Sequence, residues 1–244
     1  MSKKNLTVYK SNRITEATYK LNLNEQRVLL SCIAKNNPLE EMSATDSYTL
    51  TAMEYSEIFG TDLKHAYTEI RVASENLYAR ELWLTSKDGN PVKTRWLTSI
   101  EYGDGIIKVQ FADKIIPYLS NMSKEYTKYR LSNIAKLTTP AHIRFYEFIS
   151  QWRKSKNGIK EISIDQLKEV LGFKPTDYPQ TKIFKRNILK RAIHQINKTT
   201  DINVSYQDIK EGRSITGFKF FFGKDALTQI ELEDVIADTK KALS

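Results

Sequence analysis

The feature that most constrains this chain is a piece of helical punctuation that occurs twice. TAMEYSEIFG at 51–60 and SIDQLKEVLG at 163–172 align at an offset of 112 residues. Each opens on Thr or Ser with Glu54 or Gln166 three positions on, the pattern of a capping box. Each closes on Glu, two apolar residues and Gly, a helix stop. Short extended stretches precede both, SYTL at 47–50 and KEISI at 160–164. A further helix lies upstream of each, NEQRVLLSCIAK (24–35) and TPAHIRFYEFISQWRK (139–154), and a longer one follows, 62–80 and 179–198.

Strand patterns come next in both halves. ELWLTS and KTRWLTSIEY flank a KDGNPV turn, and IIKVQF follows GDG; in the second half INVSYQDI and ITGFKFFF flank KEGRS. Helix, short strand, helix, turn, helix, hairpin is the order of a winged helix, in which the terminal hairpin is the wing. The expectation is an α+β chain of two tandem winged-helix domains related by pseudo-twofold similarity. We divide it into an arm at 1–19, domain one at 20–120, domain two at 121–224 and an acidic tail at 225–244. A short helix around Pro117 is expected in the bridge, 113–125. Tandem winged helices also serve as protein-interaction modules, so architecture alone leaves the function open.

Charge narrows it. Residues 1–123 hold 15 Lys+Arg and 15 Asp+Glu, so the whole net charge of +9 falls on 124–244. Between Tyr178 and Thr200 stand six cations and no acid. On a helix, Phe184, Ile188, Leu189, Ala192, Ile193 and Ile196 share an apolar side. Lys182, Arg186 and Lys190 form a stripe opposite, with Asn187, His194 and Lys198 beside it, while Lys185 lies near the boundary with its ammonium reaching outward. A solvated face normally mixes signs at i,i+4; an unmatched row is suited to a polyanion. With no large bare apolar face for a membrane, double-stranded DNA is the expected partner. Gln180, Lys182, Lys185, Arg186 and Asn187 are placed to read bases in the major groove. Lys190, Lys210, Arg213 and Lys219 are placed to hold phosphates. The matching helix of domain one carries Lys64, His65 and Arg71 but also Glu69 and Glu75; these three are auxiliary DNA contacts, and the face suits a protein partner equally well.

Enzyme chemistry finds no foothold. GFKFFFGK (217–224) has the wrong spacing for a P-loop and no Ser or Thr after Lys224; Phe218, Phe220 and Phe222 are expected in the core of the wing. His65, His142 and His194 are too scattered for a metal site, which argues against a metal-dependent nickase. No catalytic residue, metal or cofactor is expected. Cys32, the lone cysteine, reads as a buried core thiol in a reducing cytoplasm. The N-terminus lacks the apolar stretch of a secretory leader.

Four stretches carry a family likeness: LNLNEQRVLLSCI; YSEIFGTDLKHAYTEIRVASENLYAREL; IIKVQFADKIIPYLSNMSKEYTKYRLSNIAKLTTPAHIRFYEFISQW; and FKRNILKRAIHQINKTTDINVSYQDIKEGRSITGFKFFF. From about residue 14 to 224 the chain resembles the replication initiator (Rep) proteins of iteron-containing, theta-replicating bacterial plasmids. The resemblance implies that the helix of domain two binds origin iterons, and that domain one adds DNA contacts and most of a homodimer interface. It implies monomers that initiate together with the host initiator and helicase, and dimers that bind an operator inverted repeat and repress their own gene. The runner-up is an autorepressor with no initiating role. Family chains often extend past the second wing, where only an acidic tail stands here.

Overall fold

Residues 6–86, 88–120, 125–153 and 158–222 are described by the computed structural model. The start of the expected arm, Lys224 and the acidic tail at 225–244 lie outside the described residues.

The chain opens with β1 (Thr7–Ser11) and α1 (Asn12–Glu16). Domain one runs through α2 (Leu23–Ile33), β2 (Tyr48–Thr51), α3 (Ala52–Phe59), α4 (Leu63–Ala79), β3 (Glu81–Thr85), β4 (Pro91–Arg95), β5 (Leu97–Gly103) and β6 (Ile106–Phe111). A 3-10 turn over Ile116–Tyr118, with Pro117 inside it, starts the passage to β7 (Tyr126–Arg130) and α5 (Leu131–Ile134). Domain two comprises α6 (Pro140–Trp152), β8 (Ile159–Ser163), α7 (Ile164–Val170), α8 (Thr181–Phe184), α9 (Lys190–Thr199), β9 (Val204–Glu211) and β10 (Ser214–Phe222).

Both capping boxes form. Thr51 Oγ1 accepts from the Glu54 N–H while Glu54 accepts from the Thr51 N–H, each at 3.0 Å. Ser163 and Gln166 do the same at 3.2 and 3.4 Å. Gly60 ends α3 at φ 69°, where a side chain would be strained. Each domain then closes a three-stranded antiparallel sheet of equivalent order, β2-β6-β5 and β8-β10-β9. The winged-helix pattern is thus present twice, and α+β describes both copies.

Three features depart from the sequence reading. Glu81–Thr85 pairs with Pro91–Arg95 as a separate hairpin, and the wing of domain one is β5 with β6. The divide falls at Trp96, which is fully buried and ends the β4 register. The residues expected as an arm are built into the fold: β1 pairs along its length with β7, Thr7 opposite Arg130 and Ser11 opposite Tyr126. The helix expected over 179–198 runs from Thr181 to Thr199, with Gln180 as its cap, and is unbroken but not uniform. Between α8 and α9 it makes a π-turn over Lys185–Leu189, with the Lys190 N–H bonded to the Lys185 carbonyl.

The core is continuous between the domains. Tyr19 stands edge-on to Trp96 of domain one, centroids 4.9 Å apart, and its hydroxyl accepts from Arg144 of α6. Arg144 also donates to the carbonyls of Ala17 (2.8 Å) and Val170 (2.9 Å). Phe218 and Phe220 are fully buried and Phe222 partly so, as the wing reading requires. Cys32 is buried, and burial pushes its thiol up to about 12, away from nucleophilic chemistry.

Candidate nucleic-acid interface

The helix of domain two is anchored by Phe184, Leu189, Ala192, Ile193 and Ile196, all buried. Phe184 meets Phe173, Tyr178 and Phe218 in an aromatic cluster that fixes the helix start against the wing. Phe184 and Leu189 are five apart and both buried, whereas a regular α-helix would turn them about 140° away from each other. The π-turn supplies the extra residue, rotating the faces on either side of it. A straight projection therefore misplaces part of the polar face.

Lys182, Arg186, Lys190, Arg191, His194 and Lys198 are exposed along this helix. Gln180 is exposed at its start, and the wing tip carries exposed Lys210 and Arg213 around Gly212. Among the described residues Lys182, Lys190, Arg191, Lys210 and Arg213 have no acidic partner. Arg191 is the cation that the sequence reading missed. Its signal was the five-residue step between two large apolar residues, which puts Arg191 nearly in line with Arg186.

Other expected contacts are engaged within the protein. Lys185 does not reach outward: its ammonium donates to both oxygens of Asp208 on β9, at 2.7 and 2.6 Å, and lies 5.5 Å from the Tyr206 ring centre. Lys219 pairs with Glu161 at 2.9 Å. Asn187 Oδ1 accepts from Arg186 Nε at 3.1 Å. In domain one Lys64 is 3.4 Å from Asp62, and Arg71 pairs with Glu75 at 3.2 Å beneath Tyr102. His65 is exposed.

Asn187 and Arg191 also line a cleft of about 740 Å³ between the domains, with Lys20, Arg80 and His142 on its other walls. Arg80 is held there by Glu25 through two hydrogen bonds, 3.1 and 3.0 Å. Burial holds the His142 imidazole below its ordinary pKa, a hydrogen bond in which Gln195 Oε1 accepts from the ring opposes this, and the nearby Arg191 charge adds to the lowering.

Residues 7–150 match the model of the initiator replication protein first winged-helix domain, and 163–222 match that of the initiator Rep protein second winged-helix domain. The chain belongs to the initiator replication protein family. This is the family that its sequence resembles. Among curated proteins of Escherichia coli, an uncharacterised 27.6 kDa protein is 25% identical over 86% of this chain and 92% of its own length. A replication initiation protein is 24% identical over 82% of this chain, which spans only 64% of that relative. The PI protein is 25% identical over 88% of this chain and 81% of its own length. The solved structure of the Pi initiator protein in complex with iteron DNA has the same fold, with a TM-score of 0.79 at 24% identity, covering 90% of this chain and 97% of that one. Within the family the two winged-helix domains are the defining units, and the cationic helix lies in the second.

Proposed function

We propose that this chain initiates plasmid replication by binding direct repeats at an origin, with the α8–α9 helix in the major groove and the β9–β10 wing on the flanking backbone. The observation that carries this is the row Lys182, Arg186, Lys190 and Arg191 on the exposed face of the second winged helix. Where the described residues offer most of these cations no acid, DNA supplies the anions. The Pi protein, of like fold, was solved on iteron DNA, which supports the same class of ligand here.

Lys182, Arg186, Asn187 and Gln180 are the base-reading set, and Lys190, Arg191, Lys210 and Arg213 the phosphate set. Lys219, Lys64, His65 and Arg71 add contacts at the edges. Domain one is the homodimer surface, a reading supported by the zero net charge of residues 1–123 and by Trp83 and Tyr78 standing exposed around the β3–β4 hairpin. The family resemblance supports extending this reading to an initiating monomer, a dimer that represses its own gene at an inverted repeat, and cooperation with the host initiator and helicase in the bacterial cytoplasm. Among the described residues no helix is long and apolar enough to cross a membrane.

The deciding experiment titrates purified protein against a duplex carrying the direct repeats beside its own gene, with a scrambled duplex as control and the mass of each complex recorded. One monomer per repeat is the expected result. Binding confined to an inverted repeat, as a dimer, identifies a repressor without an initiating role. Equal binding to both duplexes overturns sequence recognition.

A further inference from the structure

The cations of the interface differ in what holds them. Lys64 and Asp62, Arg71 and Glu75, and Lys219 and Glu161 are solvent-exposed pairs, each with a single short contact. Such pairs are worth little and are screened by salt, so a phosphate displaces them readily. Lys185 and Asp208 form another kind of pair. The ammonium contacts both carboxylate oxygens, and the two side chains are only 19% and 20% exposed. Separating them would leave an anion partly desolvated beside incoming phosphates. Lys185 also supplies the carbonyl that closes the π-turn, so its backbone and its side chain are both committed.

We propose that Asp208 is a specificity determinant: an internal anion in the wing that stands in for a phosphate, keeps Lys185 off DNA and pins the reading helix to β9. This rests on the reading of the α8–α9 helix as the DNA-binding element. Every cation that meets the backbone tightens binding to all sequences alike. Withdrawing one at the helix start lowers affinity for random DNA and leaves discrimination to Lys182, Arg186 and Asn187. The wing thus contributes selectivity through a negative charge as well as affinity through Lys210 and Arg213.

The test uses Asp208→Asn, Lys185→Met and the double variant in the full chain, on repeat and scrambled duplexes over a range of salt, with thermal melts to confirm folding. Asp208→Asn should free the ammonium, steepening the log–log salt slope on scrambled DNA by about 0.9 and tightening that binding roughly tenfold near 0.1 M salt. The preference for repeats should fall accordingly. The double variant should lose the gain and return to the slope of the unmodified protein. A double variant whose slope is shallower by about one unit would overturn the proposal, because Lys185 would then hold a phosphate in the native complex. An unaltered slope in Asp208→Asn would overturn it as well. Since the slopes are read on scrambled DNA, they judge Lys185 and Asp208 even if the native protein shows no preference for repeats, which is the separate failure of the parent reading.

Discussion

Lys10 of β1 and Glu147 of α6 form an ion pair of 2.6 Å with both side chains excluded from solvent. Tyr129 of β7 donates to the same carboxylate oxygen at 2.5 Å, and Arg144 approaches the other at 3.5 Å. Desolvating these charges is costly, and their mutual pairing offsets that cost only while every partner is present. Glu147→Gln should therefore destabilise the protein by about 3–5 kcal/mol, read as a shift of the urea midpoint. Lys10→Met should cost less, because Glu147 keeps Arg144 and Tyr129. The reverse ranking would show that Lys10 carries the network.

The same site sets an acid limit. Burial alone would raise the Glu147 pKa, but the charges of Lys10 and Arg144, with hydrogen bonds from Lys10 and Tyr129, bring it below the ordinary value. A folded-state pKa that is depressed gives stability above the unfolded-chain value, near 4.3, and loses it as pH falls through the folded one. Unfolding free energy should decline below about pH 4.3. In Glu147→Gln that decline should be shallower; an identical acid profile would contradict the assignment.

Gly172 tests how the N-terminal segment meets domain two. Its φ is 82°, and a Cβ there would lie 2.7 Å from the Tyr19 carbonyl oxygen. Gly→Ala at a compatible site commonly stabilises by about 0.4–1 kcal/mol. Here strain and collision reverse the sign, and Gly172→Ala should cost about 1–3 kcal/mol in thermal or chemical unfolding. A neutral variant would mean that the loop and the segment around Tyr19 separate freely.

At the DNA face, Arg186→Ala should weaken repeat binding by about 1–3 kcal/mol and relax preference at one base position. Equal losses on repeat and scrambled duplexes would move Arg186 to the phosphate set.

Lys190→Ala and Arg191→Ala should each weaken both duplexes and flatten the salt slope by about one unit. An unchanged slope for Arg191→Ala would confine that residue to the interdomain cleft.

What could be read directly from the chain is what is closed within a few residues. Thr51 with Glu54, Ser163 with Gln166 and the left-handed Gly60 are hydrogen bonds and backbone conformations that neighbouring residues settle alone, so both winged helices were legible as a repeat. The absence of acids between Tyr178 and Thr200 likewise exposed the cationic helix before its geometry was known. Partners distant in the chain were not legible. Nothing local distinguishes Asp208 from any other strand aspartate, or shows that Lys185 would be bound to it. The alternation of Thr7–Ser11 does not name Tyr126–Arg130 as its mate, and the strand pattern did not reveal that KTRWLTSIEY would divide at the buried Trp96 into two strands of different sheets. The π-turn also belongs to the tertiary structure: it lets Phe184 and Leu189 pack more nearly on one side and brings Arg191 toward the row. Local signals choose the elements, while desolvation and packing across the chain choose which of their side chains remain free to act.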